Sequence, residues 1–165
     1  MRRLVVVLTG SLLALQCGGC GSGPSDAELV ARFQSHRAQI DSLVGMIQSD
    51  KMLRRVDDDW TEPRDPAAVG ISSQRIADYR KIFVAIECPR GFIYNPQTGT
   101  ITLVAWAVGL AVSGSSKVFV FNPTDPTPLV ADLDTYRKHG KPDQRGYAHA
   151  YRHLDGLWYL EYLGD

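Results

Sequence analysis

Ile101-Thr102-Leu103-Val104-Ala105-Trp106-Ala107-Val108-Gly109-Leu110-Ala111-Val112 is the stretch that decides the fold class. It carries no charge and invites reading as a membrane span. A span needs about 20 apolar residues, however, and this run is shorter, β-branched and interrupted by Gly109. Val104, Trp106, Val108, Leu110 and Val112 alternate with Leu103, Ala105, Ala107, Gly109 and Ala111. That period of two is a strand's. Bulky residues on one face and mostly small ones on the other predict a central strand whose small face lets a helix approach. Ser113-Gly114-Ser115-Ser116 then reads as a turn and Lys117 to Phe121 as the returning strand. A phosphate loop over Gly109 to Lys117 is excluded. That motif needs Lys directly after its second Gly and then a helix, whereas Lys117 comes two residues late and a strand follows.

Upstream the period is helical. Ser25-Asp26-Ala27-Glu28 reads as a capping box, with acids at the positive end of the helix dipole. Leu29, Phe33, His36, Ile40, Leu43 and Ile47 recur at spacings of four and three, reinforced by Val44, and predict one helix to about Arg55. His36 falls in this stripe as a boundary or hydrogen-bonded core residue. Asp57 to Pro66 follows as an acidic, proline-broken loop. Clustered carboxylates suit calcium, but the alternating Asp and the Gly of an EF-hand are missing, so a solvated loop is the expectation. Ser72 caps a second helix, with Ile71 and Ile76 as its hydrophobic staple and Ile76, Tyr79, Phe83 and Ile86 as its buried stripe. Phe92 to Tyr94 is a short apolar run, followed by a turn at Asn95 to Gly99.

Downstream, Thr127 is expected to cap a short helix with Pro128 at its first position. Leu129, Val130, Leu133 and Tyr136 form its apolar side, and Arg137, Lys138, His139 and Gly140 close it. Asp155-Gly156 then joins two alternating runs, a strong hairpin signal. A two-residue turn there pairs His153 with Trp158, Tyr151 with Leu160 and His149 with Tyr162 on one core-facing side. His149 and His153 would lie about 13 Å apart along that strand, too far to share one metal ion. The order of elements predicts α+β: N-terminal helices packed on a mainly antiparallel sheet of four or five strands, ending in a β-hairpin.

The chain has 165 residues, 44% hydrophobic and 22% charged, which suits one globular domain. Lys plus Arg and Asp plus Glu each total 18, so no basic excess argues for a nucleic-acid partner. The N-terminus is different in kind. Met1-Arg2-Arg3 is basic, Leu4 to Leu15 is apolar apart from Thr9, Gly10 and Ser11, and Cys17-Gly18-Gly19-Cys20 follows. That run is the length of a signal-peptide core.

A basic start, an apolar core and glycines before a cysteine resemble a bacterial lipoprotein signal peptide. The resemblance implies cleavage of residues 1–19 and acylation of Cys20; with the capped helix starting at Ser25, that leaves a short tether over residues 20–24 and a single α+β domain over residues 25–165. Cys20 follows two glycines, which suits a peptidase that accepts only small residues before the cut. Cys17 follows Gln16, which is too large; it also stands where the family has Leu, three residues before the acylated Cys. Cleavage leaves 146 residues with 16 basic and 18 acidic side chains, near −2. Gly21 in place of Asp leans, by the same resemblance, towards the outer membrane, facing the periplasm. The long capped helix, the Gly70-Ile71-Ser72 helix start and the Trp158-Tyr159-Leu160 strand are similar to those of poorly characterised bacterial lipoproteins. An ordinary secretory signal, with a soluble product and a Cys17–Cys20 disulfide, is the competing reading.

Two functional classes stay open. The first is a non-catalytic binding or structural module, held on the membrane by its lipidated N-terminus, with an envelope protein or the cell wall as partner. The second is a small cysteine hydrolase using Cys88 with His149 or His153. Cys88 ends a helix instead of beginning one, where the dipole opposes a thiolate. No catalytic residue, metal or cofactor is expected, and Cys20 is the one assigned site.

Overall fold

The computed structural model describes residues 23–110, 113–140 and 146–164. Its helices are α1 (Asp26–Ser35), α2 (Arg37–Ser49), α3 (Ser73–Ala85) and α4 (Leu133–His139). Its strands are β1 (Arg55–Val56), β2 (Thr61–Glu62), β3 (Phe92–Asn95), β4 (Thr100–Leu110), β5 (Ser113–Phe121), β6 (Ala148–Asp155) and β7 (Trp158–Gly164). They form one sheet in the order β2-β1-β3-β4-β5-β7-β6, with every neighbouring pair antiparallel. The fold is α+β, with seven strands where four or five were expected. The added pair is the two-residue hairpin β1–β2, cut from chain read as a helix end and a loop.

The helices lie on one face of the sheet. Phe92, Leu103, Phe119 and Leu160 stand opposite one another across β3, β4, β5 and β7 and are fully buried. Phe33 of α1 packs on Phe119 and Trp158, with ring centroids 5.5 and 5.4 Å apart. Tyr79 and Phe83 of α3 pack on Phe92. At Gly91 (φ 65°) an added Cβ would come 1.9 Å from the Val56 carbonyl oxygen, so β1 meets β3 closely only because this residue is glycine.

The predicted stripes hold: Leu29, Phe33, Ile40, Leu43, Val44 and Ile47 are buried, as are Ile71, Ile76, Tyr79, Phe83 and Ile86. The capping box at Ser25 and Glu28 and the Ser72 cap are both present. The single long helix is not. The Ser35 hydroxyl donates back to the Arg32 carbonyl at 2.9 Å, a bond that bends helices, and His36 separates α1 from α2. The helix also stops at Asp50, short of Arg55. Arg54 instead donates to Glu62 and accepts from Tyr94, so ladder bonds claim this backbone.

Two bulges correct the strand readings. In β4 the register shifts between Val104 and Trp106, so these residues do not share a face. Trp106 stands opposite Lys117 on the helix side, and Val104 opposite Val118 on the other. Ser113 to Ser116 belongs to β5 and not to a turn, because these residues pair with Leu110 to Ala107. In the C-terminal hairpin Asp155 pairs with Trp158, and a second bulge at Leu154 sets His153 against Tyr159. That one extra residue turns His149, Tyr151 and His153 away from the core. Val130 and Tyr151 complete the third correction. Val130 donates to the Tyr151 carbonyl and Tyr151 to that of Pro128, so residues 128–130 run extended along the outer edge of β6. Helix α4 consequently starts later, capped by Asp132 and not Thr127.

Candidate functional site

Two regions bring chemistry-bearing side chains together. The first is a buried ion cluster where α1 and α4 begin. Lys117 is the one charged residue of β5 and alternates with Phe119 and Phe121, which directs it to the helix side. It is 1% exposed, and so is Asp26. Its ammonium donates to Asp26 Oδ1 at 2.8 Å, Asp134 Oδ1 at 2.5 Å and the Pro24 carbonyl at 3.1 Å, which uses all three protons. Asp26 Oδ2 accepts from the backbone N–H of Leu133 at 2.7 Å and from Arg152 at 3.3 Å. Asp134 Oδ2 accepts in return from the backbone N–H of Asp26 at 2.8 Å. Each helix start thus supplies a carboxylate to the orphan donor of the other.

Burial works to raise the Asp134 carboxyl, yet the bonds from Lys117 and Asp26 hold it below the usual aspartate range. Asp26, Asp132 and Asp134 offer oxygens within 4.8 Å of one another, spacing that suits a cation. The ammonium of Lys117 already lies against two of them. The cluster ties Pro24, the last of the expected tether residues, to the sheet. Its electrostatics are those of a joint.

The second region is the helix-free face. Ile93, Thr102, Val120, Tyr159 and His153 form one row across β3, β4, β5, β7 and β6. The rings of His149, Tyr151, Tyr159 and His153 follow one another with centroids 4.9, 6.4 and 5.1 Å apart. His149 Nε2 lies 2.7 Å from Glu161 Oε1, and His153 Nε2 lies 3.0 Å from the Gly156 carbonyl. Burial, then Glu161, pushes the Tyr151 hydroxyl above the usual phenol range. Beside these rings is a groove of about 350 Å³. Ile93, Thr100, Thr102, Thr124, Tyr151 and Glu161 line it, so apolar, hydroxyl and carboxylate groups share one concave surface.

The remaining candidates fall elsewhere. Cys20, like Cys17, lies outside the described residues. Cys88 is fully buried in the helix-side core, and its thiol is pushed up to about 12 by burial first. His149 and His153 lie on the opposite face of the sheet, so the structure does not bring this thiol and these imidazoles together. His36 stands at the α1–α2 joint with Nδ1 buried and without a hydrogen-bond partner. The acidic segment is only partly a solvated loop: Asp57 is buried, bonded by Arg55 at 2.7 Å and by the Asp58 N–H at 2.9 Å. Arg55 also lies over the Trp60 ring, 4.6 Å from its centroid.

Sequence reading missed Lys117, Asp26 and Asp134 as a unit. The available signal was a lysine in phase with Phe119 and Phe121, since a charge on a buried face requires partners. Among the described residues, no helix is long and apolar enough to cross a membrane. Comparison with protein-family models, curated proteins and solved structures gives no match.

Proposed function

We propose that this protein is a membrane-anchored envelope lipoprotein, acylated at Cys20, that works as a non-catalytic binding module through its helix-free sheet face. The observation that carries the binding reading is the ring series His149, Tyr151, Tyr159 and His153 beside a groove lined with threonines. One sheet face is closed by helices, and the other presents aromatic and hydroxyl groups in a concavity. The anchoring reading is supported by the basic start, the short apolar run and the two glycines before Cys20. Multiple acyl chains anchor stably without a polybasic patch. The partner class is another envelope protein or the cell wall, met from an outer-membrane position facing the periplasm. Burial of Cys88 away from His149 and His153 gives the hydrolase reading no support.

The experiment is in-cell photo-crosslinking with a probe at Thr102, in the groove, and a control probe at exposed Met52 in the turn after α2. The reading expects an adduct from Thr102 that Met52 does not give and that Tyr151→Ala weakens. Equal adducts from both positions would contradict it. Fractionation of the same cells checks the anchor: wild type stays with the membranes until detergent is added, and Cys20→Ala does not.

A further inference from the structure

We infer that the hollow between α3 and the β1–β2 hairpin is a second binding site, one that takes a free aliphatic α-amino acid by both of its charges. It shares no residue with the groove and does not rest on the lipoprotein reading. Ser73, Ile76 and Arg80 recur along α3 at spacings of three and four and so share one helix face. Across from that face stand Trp60, in the β1–β2 turn, and Arg64, two residues beyond β2. The hollow measures about 320 Å³, at the small end of the range for ligand sites.

Both guanidinium groups of the hollow are braced without being neutralised. Arg80 Nε donates to the Asp57 carbonyl at 3.1 Å, which holds the group in place and leaves its two terminal nitrogens. Arg64 lies over the Trp60 ring, 5.9 Å from its centroid, and Arg55 supports the same indole at 4.6 Å. Arg55 already has an acid, since Asp57 is 2.7 Å away. Among the described residues, neither Arg64 nor Arg80 has a carboxylate within ion-pair distance. Asp59, the one acid that lines the hollow, pairs with neither of them. Opposite charges therefore share one concave surface with a gap between them.

That arrangement selects a small zwitterion. A guanidinium fork matches a carboxylate, and two of them lie in reach of one. Asp59 then supplies the counter-charge for an ammonium on the same molecule. A phosphate or a lone carboxylate would be repelled by Asp59, and a simple cation by the two arginines. In a peptide the two charges sit at opposite ends, whereas an α-amino acid carries both on one carbon. Buried Ile76 and the Pro66 ring give the hollow an apolar wall, which suits an aliphatic side chain.

The test is isothermal titration calorimetry of the purified full chain at neutral pH with three probes. L-Leucine carries both charges, 4-methylpentanoate is leucine without its amine, and 3-methylbutylamine is leucine without its carboxylate. Leucine should bind saturably and each fragment about tenfold more weakly, the worth of one charge-assisted bond. This comparison needs no variant. Arg64 and Asp59 are exposed, so substitutions there should leave the thermal melt unchanged. Arg64→Gln should weaken leucine and 4-methylpentanoate alike, by about tenfold. Asp59→Asn should weaken leucine by the same factor and leave 4-methylpentanoate unchanged or tighter. Equal affinity for leucine and 4-methylpentanoate would overturn the zwitterion, and no saturable heat with leucine would overturn the site. Neither result bears on the groove, which is tested separately by the probe at Thr102.

Discussion

Lys117 satisfies two carboxylates and a carbonyl from inside the protein, so its removal leaves charge buried without a counter-ion. Lys117→Met should cost about 3–5 kcal/mol in urea unfolding, the range for breaking a buried pair from one side. A cost under about 1 kcal/mol would mean that the pair behaves like an exposed one. The Asp134 carboxyl titrates below its unfolded value, so its contribution is fully present above about pH 3.9 and is lost as pH falls through the folded value. The stability gap between wild type and Asp134→Asn should therefore narrow below about pH 4. Cys88 should resist alkylation in the native protein at neutral pH and react only as the chain unfolds. Rapid native alkylation would reopen the hydrolase reading. At this scale the sequence was informative for apolar stripes and caps, which depend on local spacing. Asp26 and Lys117 are 91 residues apart in the chain, and no local rule pairs them.

The elements show a different limit. Helix α3 was legible from its cap, its staple and its stripe, all within 16 residues of sequence. The C-terminal hairpin was legible as a hairpin, yet its histidines were assigned to the wrong face. Side-chain direction alternates residue by residue, so the one unpaired residue at Leu154 reverses the faces of the residues before it, from His153 back to Ala148. The same arithmetic separates Val104 from Trp106. Helix α4 was displaced because residues 128–130 gain ladder bonds to β6, a tertiary partner that capping preference does not see. Its actual cap gives a direct check: the Asp132 carboxylate accepts from the Thr135 N–H at 2.6 Å. Asp132→Ala should cost about 1 kcal/mol, while Thr127→Ala should change little. The opposite ranking would restore the earlier helix start.

For the whole molecule, a buried ion joint fixes Pro24 and the starts of α1 and α4 to one face of the sheet, and the groove opens on the other. Composition and the early order of helix and strand periods were sufficient for the α+β class. The two-residue strands β1 and β2 were not legible, since so short a stretch has no period to detect. The groove was equally hidden, because its lining draws Ile93, Thr102, Val120, Glu161 and Tyr151 from five different strands. The proposed partner class follows from the compartment, so the anchor is tested before the groove. The most direct measurement is the intact mass of the protein from membrane and soluble fractions, beside Cys20→Ala. A membrane species that begins at Cys20 with added acyl mass and disappears in the variant is the expected result. A soluble, unacylated product with Cys17 and Cys20 both present or disulfide-bonded would contradict it.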